Sequence, residues 1–518
     1  MSNLIHASLG IELGSTRIKA VLLDERYRCV AQGEHMWENR FANGIWTYSL
    51  KDAWEGLRAA VARLFQSVKE PVQVDVMGLS GMMHGYLAFD KDGNLLAPIR
   101  TWRNTVTGKA SRALTELFNE NIPQRWSVAH LYHAILQDEA HVKDIRFITS
   151  LAGYMHRRLT GEHAVGIGEA SGMFPIDFET LDYRQSALSD FDALIAPQGY
   201  PWKTKDIFPK IRLAGEDAGT LCAEGARLID PSGTLKPGIP VAPPEGDAGT
   251  GMVSTNSVMP RLGSVSAGTS IFSLIVAEKP LSRVYSQIDT VATPAGKTVA
   301  LVHANNCTSD INAWAELFQT FTACFGLDIS KGDLFSTLYS HSLKGDPDCG
   351  VVTVINYLSG EHITGFSQGC PLVIRTAESR FTLANFMRAH LYSALAVLKI
   401  GMDLLAAEDV KIDRLTGHGG FFKTPLAGQQ CLADATGVPV SVMENAGESG
   451  AFGMALLSWY RLHGADGASL EDYLMRRVFA DTRFSIAKPA PEGIAGFETY
   501  LKRYKKALQA ERALVGNQ

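Results

Sequence analysis

The chain has 518 residues, more than one hydrophobic core ordinarily supports, so its length predicts at least two domains. Hydrophobic residues make up 46% and charged residues 20%, which excludes a disordered or fibrous protein. The formal net charge is −5, and this acidic balance argues against nucleic acid or a membrane surface as a partner. Seven scattered cysteines without a CxxC pair favour reduced thiols in a cytoplasm and exclude a disulfide framework. We expect no transmembrane span and no signal peptide.

Two distant stretches of the sequence share one pattern. Residues 10–25 (GIELGSTRIKAVLLDE) and 264–278 (SVSAGTSIFSLIVAE) each contain glycine and hydroxyl residues followed by alternating apolar residues. Alternation after such a turn predicts a β-hairpin. The two stretches lie about half a chain apart, which suggests a duplicated domain, although coincidence between two short strands would give the same pattern.

The remaining sequence alternates predicted strands and helices, which favours α/β layers. Prolines over 236–250 exclude a helix there and mark a boundary between the halves. Two predicted helices are 53–68 and a buried Phe386–Ala407. A third has Thr424 as N-cap and Pro425 at its first position and runs to about Gly437, and a fourth begins at about Asn445. The predicted strands are 71–77, Ile239–Ala242 and 438–443, and Leu415–Gly420 leads into a glycine loop.

The glycine and hydroxyl turns are the candidate nucleotide sites. The sequence has neither a Walker A motif nor a GxGxxG after a strand, which argues against P-loop and Rossmann enzymes. At a Gly-Ser/Thr turn, backbone N–H groups and a hydroxyl can converge on a phosphate. Glu12 precedes the first turn and could hold Mg²⁺, and Lys19 could add positive charge. Two ordinary hairpin turns remain the alternative.

The order and spacing of several motifs together resemble the FGGY family of carbohydrate kinases, within the actin/Hsp70/sugar-kinase superfamily. The motifs are GIELGST (10–16), GLSGMMHG (78–85), TWRN (101–104), RRLTGEHAVGIGEASGMFPID (157–177), EGDAG (245–249), SAGTS (266–270), NYLSGEH (356–362), GHGGFFKTPLAGQQCLAD (417–434) and GESGAFGMALL (447–457).

This resemblance implies an α/β fold of two ribonuclease-H-like (actin-like ATPase) domains, each a mixed sheet flanked by helices, with a cleft between them. Residues 1–250 would carry the sugar site and the first phosphate turn, and residues 251–518 the second phosphate turn and the adenosine site. The implied reaction moves the γ-phosphoryl group of ATP to a hydroxyl of a sugar, polyol or related metabolite. Phosphoryl transfer needs mainly positioning, charge neutralisation and a base near the attacking hydroxyl. Asp247 matches the family's catalytic aspartate.

The resemblance also implies the remaining site residues. The implied ATP contacts are Gly14, Ser15, Thr16, Lys19, Gly268, Thr269, Gly419, Gly420 and Phe421. The implied acceptor contacts are Met83, His84, Trp102, Asn104 and Asp247, and Glu12 and Asp247 would hold Mg²⁺. Each has a structural alternative: Asp247 as a loop cap, Met83 and Trp102 as core residues, and His84 as a hydrogen-bonded buried histidine. Glu448 we interpret as a first-turn acid of the last predicted helix.

Several positions depart from the family pattern. Glu12 replaces the usual aspartate, Asn104 and Val106 replace Asp and Arg, Ala248 replaces Asn or Gln, and His130 stands at a lysine. These changes predict an unusual acceptor or a weakened kinase, so a non-catalytic nucleotide-binding regulator on the same fold is the alternative function. The sequence leaves open the acceptor, the phosphorylated hydroxyl and the oligomeric state, with a homodimer among the alternatives.

Overall fold

The computed structural model describes residues 4–443, 450–464 and 467–516, and the chain divides into two compact units. Unit 1 comprises Met1–Val258, Thr290–Val299 and Gly447–Asp481. Unit 2 comprises Met259–Asp289, Ala300–Ala446 and Thr482–Gln518.

The elements alternate along the chain. The strands are β1 Ile5–Leu13, β2 Arg17–Asp24, β3 Cys29–Met36, β4 Arg40–Ala42, β5 Ile45–Thr47, β6 Val72–Gly81, β7 Leu87–Phe89, β8 Phe147–Thr149, β9 Ala164–Gly166, β10 Ile176–Asp177, β11 Asp182–Tyr183, β12 Lys210–Arg212, β13 Glu245–Gly246, β14 Leu262–Ala267, β15 Ile271–Val276, β16 Ile288–Ala292, β17 Thr298–Ala304, β18 Thr353–Ile355, β19 Leu372–Ile374, β20 Arg414–His418, β21 Val440–Met443 and β22 Phe484–Ala487. The helices are α1 Leu50–Ser67, α2 Gly108–Phe118, α3 Ser127–Leu136, α4 Leu151–Thr160, α5 Ile167–Ala170, α6 Gln185–Ile195, α7 Thr204–Ile207, α8 Ala223–Ile229, α9 Asp247–Ser254, α10 Ser309–Ala323, α11 Lys331–Ser342, α12 Leu383–Ala407, α13 Ala427–Thr436, α14 Gly450–His463, α15 Leu470–Tyr473 and α16 Pro491–Val515.

The main sheet of unit 1 has the order β13-β6-β1-β2-β3. Strands β13, β6 and β1 run parallel, while β1, β2 and β3 form antiparallel neighbours. The predicted alternation after the first turn is confirmed, because Ile18, Ala20 and Leu22 are fully buried in the core of this unit. Helix α14 packs so closely on β1 that a Cβ on Gly10 would lie 2.0 Å from the carbonyl oxygen of Ala451, so only glycine fits there.

The main sheet of unit 2 has the order β16-β17-β15-β14-β20-β21-β22. Here β14 pairs antiparallel with β15 and parallel with β20, which in turn pairs parallel with β21. The run β15-β14-β20-β21 therefore repeats the arrangement of β2-β1-β6-β13 in unit 1. Each of the two predicted hairpins occupies the same place in its own sheet, which supports the duplication read from the sequence.

The predicted core helix is confirmed as α12, which lies in the hydrophobic core of unit 2. Among the residues that the structure describes, α12 is the one helix long and apolar enough to cross a membrane. Its most apolar window is 72% buried inside the protein, as expected for a helix at the centre of a core.

Two local predictions differ from the structure, and a third falls outside the described residues. The helix expected from Thr424 begins at Ala427, because Leu426 adopts a left-handed φ of 64° that a continuous helix cannot contain. The strand expected at 239–242 is reduced to isolated bridges at Pro240 and Val241, since neighbouring prolines lack the N–H groups that a ladder needs. The predicted helix start near Asn445, and Glu448 with it, lie outside the described residues.

Candidate active site

The first predicted phosphate turn joins β1 to β2 in unit 1. Gly14, Ser15 and Thr16 lie between the paired residues Leu13 and Ile18. Gly14 and Ser15 are half-buried, whereas Thr16 is exposed. The turn is closed by the Gly14 N–H, which donates to the carbonyl of Arg17 at 2.9 Å.

The carbonyls of this turn are held from one side by the segment that follows β3. The Trp37 indole Nε1–H donates to the Gly14 carbonyl at 2.7 Å, and the Asn39 Nδ2 donates to the Ser15 carbonyl at 2.9 Å. In a trans peptide the C=O of one residue and the N–H of the next point in opposite directions. The amides of Ser15 and Thr16 therefore point away from Trp37 and Asn39, as an anion site requires.

Strand register brings Asp247 to the same sheet edge as this turn. In the parallel set, Leu13 of β1 pairs with Gly81 of β6, and Gly81 pairs with Gly246 of β13. The next residues along the chain are Gly14, Met82 and Asp247. Neighbouring strands lie about 4.8 Å apart, so the three strand ends deliver these residues side by side. The carboxyl ends of parallel strands are where open α/β sheets bind ligands.

Asp247 is fixed at the first position of α9. The backbone N–H of Met83 donates to its Oδ1 at 3.2 Å. Asp247 reaches solvent along one side, while the protein packed around its carboxyl removes hydration and raises its pKa. A carboxylate that is held on one oxygen and open to solvent suits the role of a base.

Glu12 lies across the strands from Lys19 and beside the start of α14. Its Oε2 accepts from the Ala451 N–H at 3.4 Å. Burial, and then the negative charge of Asp247, raise the pKa of Glu12, while Lys19 opposes the shift. Glu12 and Asp247 are therefore close enough for the charge of one to act on the other. Such a pair fits Mg²⁺, which usually takes only one or two protein carboxylates and completes its shell with water and phosphate. Within the described residues there is no larger cluster of metal-binding side chains.

The predicted acceptor residues Met83 and His84 follow β6 directly. Met83 is buried, and His84 has a left-handed φ of 70°. The His84 Nδ1 lies 3.1 Å from the carbonyl of Gly172, so Nδ1 carries the proton that is donated. Burial, with the charge of Arg125, lowers the pKa of His84 to about 3, so the ring is neutral and Nε2 is an acceptor.

Trp102 and Asn104 behave differently from each other. Trp102 is 37% exposed, so part of its ring is available for contact. Asn104 is buried, and its amide bonds the backbone: Oδ1 accepts from Trp46 N–H at 2.8 Å, and Nδ2 donates to the carbonyls of Trp46 and Thr101. The expected role of Asn104 as a hydroxyl ligand therefore competes with bonds that shape the loop around it.

Two buried carboxyl groups beside Asp247 escape sequence reasoning, and so does the environment of His130 in another part of unit 1. The Glu245 carboxylate accepts from the backbone N–H groups of Gly168 and Glu169, and burial raises its pKa to about 8. Glu169 is fully buried, and burial raises its pKa well above the usual value. His130, at the departure noted in the sequence, is fully buried, and burial keeps its pKa far below the usual value. Only packing reveals these environments.

The second predicted phosphate turn joins β14 to β15 in unit 2. Gly268 and Thr269 lie between the paired residues Ala267 and Ile271. As in the first turn, the carbonyls are held from one side. The Thr308 N–H donates to the Gly268 carbonyl and the Cys307 N–H to the Thr269 carbonyl, each at 3.0 Å.

The predicted adenosine loop leaves the strand next to this turn. Strand β20 pairs with β14 so that His418 lies opposite Ser266, and Gly419 follows. Gly419 has a φ of 96°, and a Cβ there would lie 2.5 Å from the Ala267 carbonyl, so the position requires glycine. Gly420 has open space around it, whereas the ring of Phe421 is fully buried in the core. Any nucleotide contact at Phe421 would therefore involve its backbone.

Sequence models of the FGGY family of carbohydrate kinases match most of the chain. The model of the N-terminal domain matches residues 7–254, and that of the C-terminal domain matches residues 263–462. The chain belongs to the FGGY family. Like other FGGY kinases it is a phosphotransferase, and the family predicted from the motifs is confirmed.

Individual relatives of this FGGY chain act on different substrates. A xylulose kinase of Haemophilus influenzae is 21% identical over 529 residues, covering 96% of this chain and 98% of the relative. An L-fuculokinase of Escherichia coli is 26% identical over 249 residues, covering 45% of this chain and 49% of the relative.

Solved structures confirm the fold of this FGGY kinase. A ligand-bound xylulose kinase of Lactobacillus acidophilus superposes with a TM-score of 0.82 at 16% identity, covering 99% of each chain. A gluconate kinase of the same organism gives 0.81 at 16% identity, again covering 99% of each chain. The predicted actin-like α/β architecture is therefore confirmed.

Proposed function

We propose that this FGGY kinase transfers the γ-phosphoryl group of ATP to a hydroxyl of a small sugar, polyol or related metabolite, with Asp247 as the general base. The observation that carries this proposal is the strand register in unit 1. It places Asp247, Met83 and the Gly14–Thr16 turn at adjacent carboxyl ends of parallel strands. A base and a phosphate-binding turn at one edge are what phosphoryl transfer requires.

Each glycine turn is proposed to bind phosphate through outward-pointing amides. In the first turn these are the amides of Ser15 and Thr16, and in the second the amide of Thr269. We propose that Lys19 adds positive charge and that Gly419 and Gly420 line the adenosine side. The division of roles between residues 1–250 and 251–518 is part of this proposal.

Glu12 and Asp247 are proposed to hold Mg²⁺, directly or through water. When bound, the ion would neutralise charge on the phosphate oxygens. The Ala451 N–H and Lys19 orient Glu12, and the Met83 N–H orients Asp247. With Asp247 held in this way, its carboxylate can accept the hydroxyl proton as the new O–P bond forms.

On the acceptor side, His84 is proposed to accept a hydrogen bond through Nε2, and Trp102 to contact the carbon face of the acceptor. Met83 would form part of the wall of the acceptor site. Asn104 would bond the acceptor through the second lone pair of its Oδ1, because the first accepts from the Trp46 N–H. The neutral His130 in place of a lysine favours an acceptor without an anionic group near that residue.

A metabolite panel with mass detection of phosphorylated product tests the proposal. The panel should contain xylulose, fuculose, glycerol and gluconate, which are the acceptors suggested by the names of the relatives. Product from at least one hydroxylated acceptor, formed together with ADP, is expected. ATP binding with no product across a broad panel would favour the non-catalytic regulator instead.

A further inference from the structure

The motif NYLSGEH at 356–362 forms a clamp around a neighbouring loop in unit 2. The loop is Asn305–Thr308, between β17 and α10. The Asn306 Oδ1 accepts from the backbone N–H groups of Leu358 and Ser359, each at 3.0 Å. The Asn305 Nδ2 donates to the carbonyl of Gly360 at 2.9 Å. Together, these bonds fix the loop against the motif.

The clamped loop in turn fixes the second phosphate turn. The Gly268 carbonyl accepts from the Thr308 N–H at 3.0 Å and from the Thr308 hydroxyl at 2.7 Å. The Thr269 carbonyl accepts from the Cys307 N–H at 3.0 Å. Because a trans peptide directs C=O and the following N–H in opposite senses, these bonds point the amides of Thr269 and Ser270 away from the loop.

Glu361 is the charged group of the clamp. It is fully buried, and its Oε2 accepts three hydrogen bonds. The donors are the backbone N–H groups of Asn305, at 2.9 Å, and Asn306, at 3.3 Å, and the Asn306 Nδ2, at 3.2 Å. Removing this oxygen would leave three donors to find new partners in a largely buried place, and the loop would shift to satisfy them.

We infer that Glu361 is a positioning residue that aligns the second phosphate turn for ATP by holding the Asn305–Thr308 loop behind it. This inference rests on the proposed function, since it assumes that the turn binds phosphate. Glu361 acts on the turn only through the loop, so its loss would weaken ATP binding and leave acceptor binding unchanged.

The clamp is also sensitive to pH. Burial raises the pKa of Glu361 to about 7, against the opposing effect of its hydrogen bonds. The groups that face it are His362, with Nδ1 3.6 Å from Oε1, and the phenols of Tyr357 and Tyr504. An ionised carboxylate accepts stronger hydrogen bonds than a neutral one. The loop is therefore held more tightly as pH rises through 7.

Calorimetric titration with a non-hydrolysable ATP analogue and Mg²⁺ tests this inference on the full chain. The variants are Glu361→Ala, Glu361→Gln and the control Glu511→Gln. Glu511 is another fully buried glutamate of unit 2, and its Oε1 accepts from the Cys370 N–H at 2.6 Å. We expect the Kd to rise about tenfold in Glu361→Ala, about threefold in Glu361→Gln and not at all in the control.

Titrations at about pH 6 and about pH 8 separate positioning from simple stability. The wild type and Glu511→Gln should bind the analogue relatively more tightly at the higher pH, by the same factor in both. Glu361→Gln should show a smaller difference between the two pH values, because it lacks the contribution that comes from ionisation of Glu361. KM for the acceptor should be the same in all variants.

The outcomes are distinct. If the wild type does not bind the analogue, the proposed function is contradicted. If the wild type binds it and Glu361→Gln binds it with the same affinity and the same pH dependence, the inference is overturned. If the Glu361 variants do not fold, Thr308→Val tests the link from the loop to the turn, on which the inference depends, because it removes a donor to Gly268 and leaves the Glu361 bonds intact. We expect Thr308→Val to raise the Kd about threefold to tenfold, and an unchanged Kd would overturn the inference.

Discussion

The backbone N–H of Met83 donates to Oδ1 of Asp247 at 3.2 Å and joins two residues 164 positions apart in the chain. This bond links the end of β6 to the start of α9. It fixes one oxygen of the proposed base relative to the wall of the proposed acceptor site. The orientation of Asp247 therefore depends on the close fit of the strand ends around it.

Gly246→Ala should disturb this fit. A Cβ at Gly246 would lie 2.6 Å from Oε2 of Glu169 and 3.0 Å from the Met83 side chain. Because Glu169 and Met83 are both buried, we expect the backbone of Gly246 to move and to carry Asp247 with it. A displacement of about 1 Å at a reacting group can cost about a hundredfold in kcat. Steady-state kinetics should show the loss in kcat. The matched control is Gly251→Ala in α9, the helix that begins at Asp247, because a Cβ on Gly251 would meet open space. Equal kcat values in the two variants would contradict this view of the strand ends.

Trp37→Phe should weaken ATP binding by about fivefold. The change removes the indole bond to the Gly14 carbonyl but keeps an aromatic ring beside Tyr48. Titration with an ATP analogue measures the effect. Trp54→Phe is the control, because that indole donates to the Tyr154 hydroxyl. An unchanged affinity in Trp37→Phe would show that the turn keeps its shape without this bond.

Gly419→Ala should destabilise the protein by about 1–3 kcal/mol. The variant combines a left-handed φ with a Cβ 2.5 Å from the Ala267 carbonyl. Gly420→Ala, where a Cβ meets open space, should change the free energy of unfolding little. Urea unfolding compares the two variants. A Gly419→Ala variant as stable as the wild type would be incompatible with the backbone geometry of this loop.

Acid should destabilise the protein through buried histidines such as His156. Burial lowers the pKa of His156 from 6.5 to about 4, and its Nε2 lies 2.8 Å from the Ala218 carbonyl. Below pH 6.5 the unfolded chain binds the proton more readily than the folded protein does, so the free energy of unfolding decreases as the pH is lowered. By pH 4 the loss from this one group reaches about 3 kcal/mol.

Urea unfolding over this pH range should therefore show a weaker acid dependence in His156→Gln than in the wild type. His6, which lies on the surface beside Asp75, provides the control variant His6→Gln. If His156→Gln and the wild type lose stability in parallel from pH 6.5 to 4, burial of His156 does not contribute to the acid dependence.

Much of the fold could be predicted from local sequence. The alternating apolar residues after Gly14 and Gly268 predict both hairpins, and the long, mostly apolar segment predicts α12. The sequence predicts too early a start for α13, because the left-handed φ of Leu426 leaves no signal in the sequence.

The site was predictable only in part. Asp247 and the turns belong to short motifs, whereas Trp37, Asn39 and Glu361 contribute through bonds to residues 23 to 56 positions away. The sequence predicts an acceptor contact for Asn104, but it does not reveal that the Asn104 amide also bonds Trp46, 58 positions earlier in the chain. Such pairings follow from tertiary packing, which a single sequence does not specify.

The most direct test of the account is product formation by the wild type and by Asp247→Asn on the acceptor panel, with mass detection. The amide oxygen of asparagine can still accept from the Met83 N–H, so the stability of the protein should be preserved. We expect the wild type to add one phosphoryl group to a hydroxylated acceptor, and Asp247→Asn to do so at least about a hundredfold more slowly. Equal rates of product formation in the two proteins would contradict the account.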